Sequence, residues 1–268
     1  MQVHPLTPLI GARVTGLRAD ALTQDDVERL TQLIADKGVL HLPGQYLNGK
    51  ALERVARQFG QPWLGGFLRP IEGHAFAIPI TNNGKSLAIS ERWHADSTYD
   101  PTPPYLSFLT AIDLPPLGGD TMWCNQYLVY EHLPEGVKRL INRVRAVHYN
   151  RGQVKVRSGE NRDDLPGFAH PLVIRHPVSG RPSFYLSAHA EHLEGISRED
   201  SASLLEWLRR AIGLPAFTYR HRWEAGDLIV WDNRCTTHYA VHDYGDYPRY
   251  LNRATIAGPQ PEPYFDLS

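Results

Sequence analysis

The stretch FTYRHRWEAGDLIVWDNRCTTHYA, residues 217–240, followed after eight residues by RYLNRATI, residues 249–256, decides the fold class. It holds three runs rich in β-branched and aromatic residues, 217–223, 227–232 and 249–256, parted by Glu224-Ala225-Gly226 and by a polar tract. Short runs of this kind between turn signals read as strands. The same reading extends upstream to 75–80, 105–112, 120–125, 170–176 and 183–187, and to a short strand from Gly38 that ends at Pro43. The 22 glycines and 21 prolines sit mainly between these runs and act as turn punctuation. Helical spacing is confined to four places. One helix starts at Thr23, with Asp25 and Asp26 in its first turn, Val27, Leu30, Leu33 and Ile34 on one face, and Gly38 just beyond its end. The others are predicted over 50–59, 135–144 and 198–212. Many strands in close succession with a few covering helices predict a mostly β protein, a sandwich or jelly roll with flanking helices. No internal repeat or low-complexity linker divides the chain, so a single domain over 1–268 is expected. The charged stretch 151–169, with Gly152, Gly159, Pro166 and Gly167, reads either as a mobile lid loop or as a disordered connection.

Composition narrows the function by exclusion. Hydrophobic residues make up 42% and charged residues 21%, as in ordinary soluble domains. A net charge of -1 gives no general attraction to nucleic acid or to an anionic membrane. No run approaches the roughly 18 apolar residues that a bilayer span needs. Met1-Gln-Val-His-Pro5 lacks the basic and apolar regions of a signal peptide. Cys124 and Cys235 cannot make a disulfide framework; both are expected to be buried small hydrophobes, and a reducing cytoplasm is the expected location. Asn83-Gly84-Lys85-Ser86 imitates the end of a phosphate-binding loop, but Pro79 stands where its first glycine belongs, so Asn83-Gly84 reads as a hairpin turn.

Trp93-His94-Ala95-Asp96 is the first chemical signal. On a strand, residues two apart share a face, so His94 and Asp96 would offer an imidazole and a carboxylate to one ion. Alone, that pair reads first as a surface pair at a strand end. His238 supplies a second imidazole, and two histidines with one carboxylate leave coordination positions open, which suits non-haem iron(II). Downstream stand Gly118-Gly119-Asp120-Thr121, Trp231-Asp232-Asn233-Arg234, His238-Tyr239-Ala240, and Arg249 with Arg253.

Together these motifs resemble the taurine dioxygenase family, which includes chlorophenoxyacetate dioxygenases and alkylsulfatases. The resemblance runs over nearly the whole chain, from Ile10-Gly-Ala-Arg-Val-Thr-Gly16 and Phe59-Gly60 to His170-Pro-Leu-Val173, His176-Pro177 and Gly180-Arg181. It implies a double-stranded β-helix with iron(II) at one mouth, held by His94, Asp96 and His238. It further implies 2-oxoglutarate and O2 as cosubstrates, with Thr121 and Arg249 on the distal carboxylate of 2-oxoglutarate and Arg253 nearby, reaching toward a substrate anion. A guanidinium fork suits a carboxylate because it presents two parallel donors and stays charged. The implied reaction is oxidation, in the first place hydroxylation, of a C–H bond in a small-molecule substrate, with release of succinate and CO2. Halogenating relatives lack the carboxylate, so Asp96 argues against halogenation.

The resemblance frays around the substrate. A histidine that grips taurine after Phe-Gly is absent; the segment here offers Trp63 and Phe67. Ser90 stands where the family has an asparagine, and Tyr99 lies three residues beyond Asp96. Trp63 and Phe67 read either as an apolar or aromatic substrate wall or as plain packing; Arg253 keeps an anionic group on the substrate. Other readings of the centre are desaturation, cleavage or cyclisation in a biosynthetic pathway, a jelly-roll protein that binds metal without turnover, and a zinc hydrolase. No nucleic-acid or membrane partner is expected, and relatives suggest a homodimer or homotetramer.

Overall fold

The computed structural model describes residues 1–65, 68–82, 90–150 and 167–266. In chain order its elements are β1 Gln2–Pro5, β2 Ala12–Thr15, α1 Gln24–Lys37, β3 Val39–Leu42, α2 Gly49–Arg57, β4 Ile78–Asn82 and β5 Pro104–Asp113. There follow β6 Thr121–Asn125, α3 Gln126–His132, α4 Glu135–Ile141, β7 Arg145–His148, β8 Phe168–Pro171, β9 Val173–Arg175, β10 Pro182–Phe184 and β11 Ala190–Leu193. The last elements are α5 Arg198–Arg209, β12 Thr218–His221, β13 Leu228–Asp232, β14 Thr236–Ala240 and β15 Arg249–Ala257.

The larger sheet runs β1-β2-β3-β13-β5-β15-β4, with β2 and β3 parallel and the other pairs antiparallel. A smaller sheet, β12-β6-β14, provides the facing wall, and two short ribbons, β11-β7-β8 and β10-β9, extend the structure. This is a jelly roll whose sheets are separately bonded and do not close into a barrel. Strand alternation separates two cores. Leu228 and Val230 on β13 pack outward with Leu40, Leu106, Phe108 and the apolar faces of α1 and α2. Ile229 and Trp231 point inward with Val39, Leu109, Leu251 and, from the smaller sheet, Trp123. Full burial of a side chain of this kind is worth about 1.5–3 kcal/mol. Because both faces are covered, β13 carries a continuous apolar run where a half-exposed strand would alternate.

Helix α1 is capped as its sequence predicts: Thr23 accepts from the Asp26 N–H and the Asp26 carboxylate accepts from the Thr23 N–H, a capping box. The strands predicted at 105–112, 120–125, 227–232 and 249–256 are β5, β6, β13 and β15. The segment 170–176 divides into the end of β8 and β9. Phe168 and Ala169 belong to β8, so the irregular connection ends before 168; residues 151–166 and the Asn83-Gly84 turn lie outside the described residues. Cys124 and Cys235 are buried and free, and burial pushes the Cys124 thiol up to about 12, which keeps it protonated and inert. Among the described residues, no helix is long and apolar enough to cross a membrane.

Candidate active site

The β13–β14 turn builds the first half of the site. Asp232 accepts from the Arg234 backbone N–H at 2.8 Å and from its guanidinium Nε at 2.9 Å, while Thr236 Oγ1 donates to the Asp232 carbonyl at 2.7 Å. That turn launches β14 and puts His238 opposite His94, to which it is joined by reciprocal backbone hydrogen bonds of 3.0 and 2.7 Å. His94 and Asp96 are not on a regular strand: His94 forms an isolated bridge, and Asp96 opens a turn that Ser97 continues at φ 48. A non-glycine residue in the left-handed region is strained and persists where its surroundings fix it. Here it bends the chain away directly after the carboxylate.

His94, Asp96 and His238 are all buried, and their ligand atoms lie within 4.8 Å of one another. His94 Nδ1 is tied to the Arg92 carbonyl at 2.8 Å, which leaves Nε2 for an ion. His238 Nε2 faces Asp96 Oδ1 at 3.8 Å, too far for a hydrogen bond. Burial holds both imidazoles below their usual range, and so neutral, the form that ligates metal. Burial opposes ionisation of Asp96, but the Arg253 guanidinium above all, with the hydrogen bond from the Ser107 hydroxyl, outweighs it and holds the carboxyl well below its ordinary value.

Two other buried clusters look alike on composition and are self-satisfied. Asp227 gives one oxygen to His41 Nε2 at 2.7 Å and the other to His221 Nε2 at 2.9 Å. His176 and Cys235 flank Asp232, whose carboxylate Arg234 already covers.

Deeper in the interior, on the same face of β15 as Arg253, lies Arg249. It is buried, yet it has no carboxylate partner among the described residues: Nε donates to the Gly119 carbonyl at 2.9 Å and Nη2 reaches Thr121 Oγ1 at 3.4 Å. Gly119 sits at φ 72, and a Cβ there would lie 3.0 Å from Arg249 Cδ, so this glycine lets the turn and the guanidinium pack together. Thr121 also accepts from Trp223 Nε1 at 3.1 Å. With two donors directed at its oxygen, the Thr121 hydroxyl keeps its own proton for a further acceptor. Asp120 is near enough to act on Arg249 but is ion-paired with Arg220, and a buried guanidinium without a paired carboxylate makes a ready site for an anion.

Arg253 sits elsewhere than beside Arg249 and Thr121: its Nη1 donates to Asp96 Oδ1 at 2.8 Å, and its buried Nε has no partner among the described residues. The Tyr99 hydroxyl lies 3.3 Å from Ser97 Oγ, and its ring packs 5.1 Å from that of His189, which is 6.4 Å from the His94 ring. Trp63 is half-buried and docks on the edge of β15, its backbone bonded to Thr255 at 2.9 and 2.8 Å. Ser90 meets β14 through its carbonyl, which accepts from the Ala240 N–H at 2.7 Å. Phe67 lies outside the described residues.

The family model described as "Taurine catabolism dioxygenase TauD, TfdA family" matches residues 2–255. The chain belongs to the TauD, TfdA family. It is 33% identical to an alkylsulfatase of Acinetobacter baylyi, over 96% of this chain and 85% of that one. It is 34% identical to an alpha-ketoglutarate-dependent 2,4-dichlorophenoxyacetate dioxygenase of Burkholderia sp. (strain RASC), over 94% and 93% of the two chains. The crystal structure of a taurine dioxygenase from Burkholderia xenovorans superposes with a TM-score of 0.84 at 32% identity, covering 97% of this chain and 92% of that one. This TauD-family protein is a non-haem iron, 2-oxoglutarate-dependent dioxygenase, with O2 as the second cosubstrate.

Four residues around the TauD-type site were not singled out from the sequence or had no role assigned there. Ser107, Asn233, Trp223 and His189 all lie buried against the residues just described. Ser107 carried a readable signal, a hydroxyl inside the apolar run of β5, and such a group requires a partner. His189 carried none: it is one of thirteen histidines, and nothing in its neighbours marks it.

Proposed function

We propose that this enzyme hydroxylates a small, anionic and partly apolar or aromatic molecule at a metal held by His94, Asp96 and His238, with Thr121 and Arg249 gripping the distal carboxylate of 2-oxoglutarate. The observation that carries the proposal is the pairing of two donor sets. Two neutral imidazoles and a carboxylate face one point, and on the same interior face lies a buried guanidinium with a poised hydroxyl and, among the described residues, no paired carboxylate. A cosubstrate with a chelating end and a carboxylate end fits both. A protein that merely stores a metal, or a zinc hydrolase, has no use for the second site.

When bound, iron(II) with 2-oxoglutarate supplies the activation of O2, which leaves succinate and CO2 and puts one oxygen atom into a C–H bond. The rest is the work of side chains. Arg249 and Thr121 set the direction of the cosubstrate. Burial of the triad excludes water from the reacting atoms. Arg253 keeps one donor on Asp96 and has, among the described residues, an unpartnered Nε for an anionic group of the substrate. Tyr99, with Trp63, Phe67, Ser90 and the neutral His189, is assigned to the substrate wall. The names of the relatives support an amphiphilic anion, since a dichlorophenoxyacetate joins a carboxylate to an apolar ring and an alkyl sulfate joins a sulfate to an alkyl chain.

Succinate release from a panel of aryl and alkyl carboxylates, sulfonates and sulfates tests the substrate class; no stimulation by any of them contradicts it. Arg249→Gln tests the cosubstrate site. Loss of a charge-assisted pair costs about 1.5–3 kcal/mol, so the KM for 2-oxoglutarate is expected to rise about ten- to a hundredfold with kcat at saturation changed much less. An unchanged KM contradicts the assignment of Arg249.

A further inference from the structure

We infer that Ser107 is a positioning residue that makes Asp96 bind its metal through a single oxygen and so keeps a coordination position free; this rests on the triad reading above. The polarity of the surrounding hydrogen bonds is fixed by chemistry. Asn233 Oδ1 lies 3.1 Å from the Asp96 backbone nitrogen and 3.1 Å from Trp231 Nε1, both of which only donate. The amide nitrogen of Asn233 must therefore face the other way, and it donates to Ser107 Oγ at 2.9 Å. With that oxygen accepting, the Ser107 proton goes to Asp96 Oδ2 at 2.7 Å. Ser107, Asn233 and Trp231 are at most 2% exposed, so water does not substitute for any of these partners.

The two oxygens of Asp96 thus face different tasks. Oδ1 is the one that looks at His238 Nε2 and at Arg253. Oδ2 is held back by a short hydrogen bond to a hydroxyl whose direction the buried network dictates. Each carboxylate oxygen keeps a second lone pair, so the Ser107 bond acts by fixing the orientation of the carboxylate: turning both oxygens onto one ion would cost that bond and leave the buried Ser107 proton without an acceptor. A two-oxygen carboxylate would take up a position that the keto acid and O2 need between them.

Ser107→Ala removes the donor, Ser107→Cys keeps nearly the volume with a weak donor, and Ser107→Thr keeps the hydroxyl. Each is titrated with Co(II), whose visible absorption reports coordination number, and with Fe(II) plus 2-oxoglutarate without oxygen, while circular dichroism monitors the fold. The expected result is a Co(II) spectrum altered in Ala and Cys, Co(II) affinity changed about tenfold or more, a weakened Fe(II)–2-oxoglutarate absorption, and recovery in Thr. Folded Ala and Cys variants with wild-type spectra and affinity would overturn the inference. Wild-type protein that binds no Co(II) would overturn the triad reading and this inference with it. If Ala and Cys do not fold, a Thr variant that folds with an altered Co(II) spectrum also counts against the role, because its hydroxyl is intact.

Discussion

Asp96→Ala is expected to weaken metal binding on the order of a hundred- to a thousandfold and to reduce turnover at least as much. The substitution does more than delete a ligand. Asp96 Oδ1 accepts from Arg253 Nη1, and Oδ2 accepts from Ser107. Without the carboxylate, a largely buried guanidinium stands uncompensated beside the place where a dication must bind. Removing one partner of a buried ion pair costs about 3–5 kcal/mol of stability, and the metal itself loses an anionic ligand and gains an unscreened cation beside it, where about 3–4 kcal/mol corresponds to a hundred- to a thousandfold. A calorimetric titration of the purified variant with Co(II), alongside single-turnover succinate release, measures both effects. Metal affinity within a few-fold of wild type would place the ligand elsewhere.

The metal-free protein is expected to lose most of its stability between pH 6.5 and 4. Burial holds both His170 and His189 down to about 4, with the neighbouring His94 adding to the effect on His189. Burial also holds His148 well below the ordinary value of 6.5. Each is neutral when folded and free to take a proton when unfolded, so below 6.5 the unfolded state binds more protons and stability falls as pH falls. The loss grows until the folded pKa is reached and then levels off. A histidine shifted from 6.5 to about 4 contributes a penalty of about 2 kcal/mol at pH 5 and about 3 kcal/mol at pH 4. Two such residues take away on the order of 4–6 kcal/mol, a large part of the 5–15 kcal/mol that holds a typical domain folded. Urea unfolding at several pH values gives the curve, and His170→Gln with His189→Gln should flatten it. Equal stability at pH 7 and 5 would show that these imidazoles are not held neutral by burial.

Much of the fold is readable because β5, β13 and β15 are long and apolar and carry β-branched residues. What escaped notice did so for physical reasons. β1 is exposed along its whole length, so no buried face imposes a pattern on Gln2-Val3-His4-Pro5. β14 is Thr236-Thr237-His238-Tyr239-Ala240, a strand whose polar residues are buried by hydrogen bonding to the turn and by the site it lines. α3 is only seven residues long, too short for helical periodicity to emerge; it is set by Asn125, whose side chain accepts from the Tyr127 and Leu128 N–H groups.

In the site, His94, Asp96 and His238 were legible as a set, although the strand invoked to bring His94 and Asp96 onto one face is a bridge followed by a turn. The convergence survives because Asn233, 137 positions along the chain, fixes the Asp96 backbone, a contact that no local spacing encodes. Thr121 and Arg249 meet through packing of β6 against β15 across the interior, and Arg253 turns to Asp96 for a paired carboxylate of the kind that Arg249 lacks among the described residues.

The central claim is that the triad and the buried guanidinium bind one cosubstrate between them. Fe(II) and 2-oxoglutarate added without oxygen to the wild-type protein and to His238→Ala, with the visible spectrum recorded, test it most directly. A weak metal-to-ligand charge-transfer band is expected in the wild type and is expected to be absent in His238→Ala. Wild-type protein that binds iron but shows no such band, or a band that persists without His238, would contradict it.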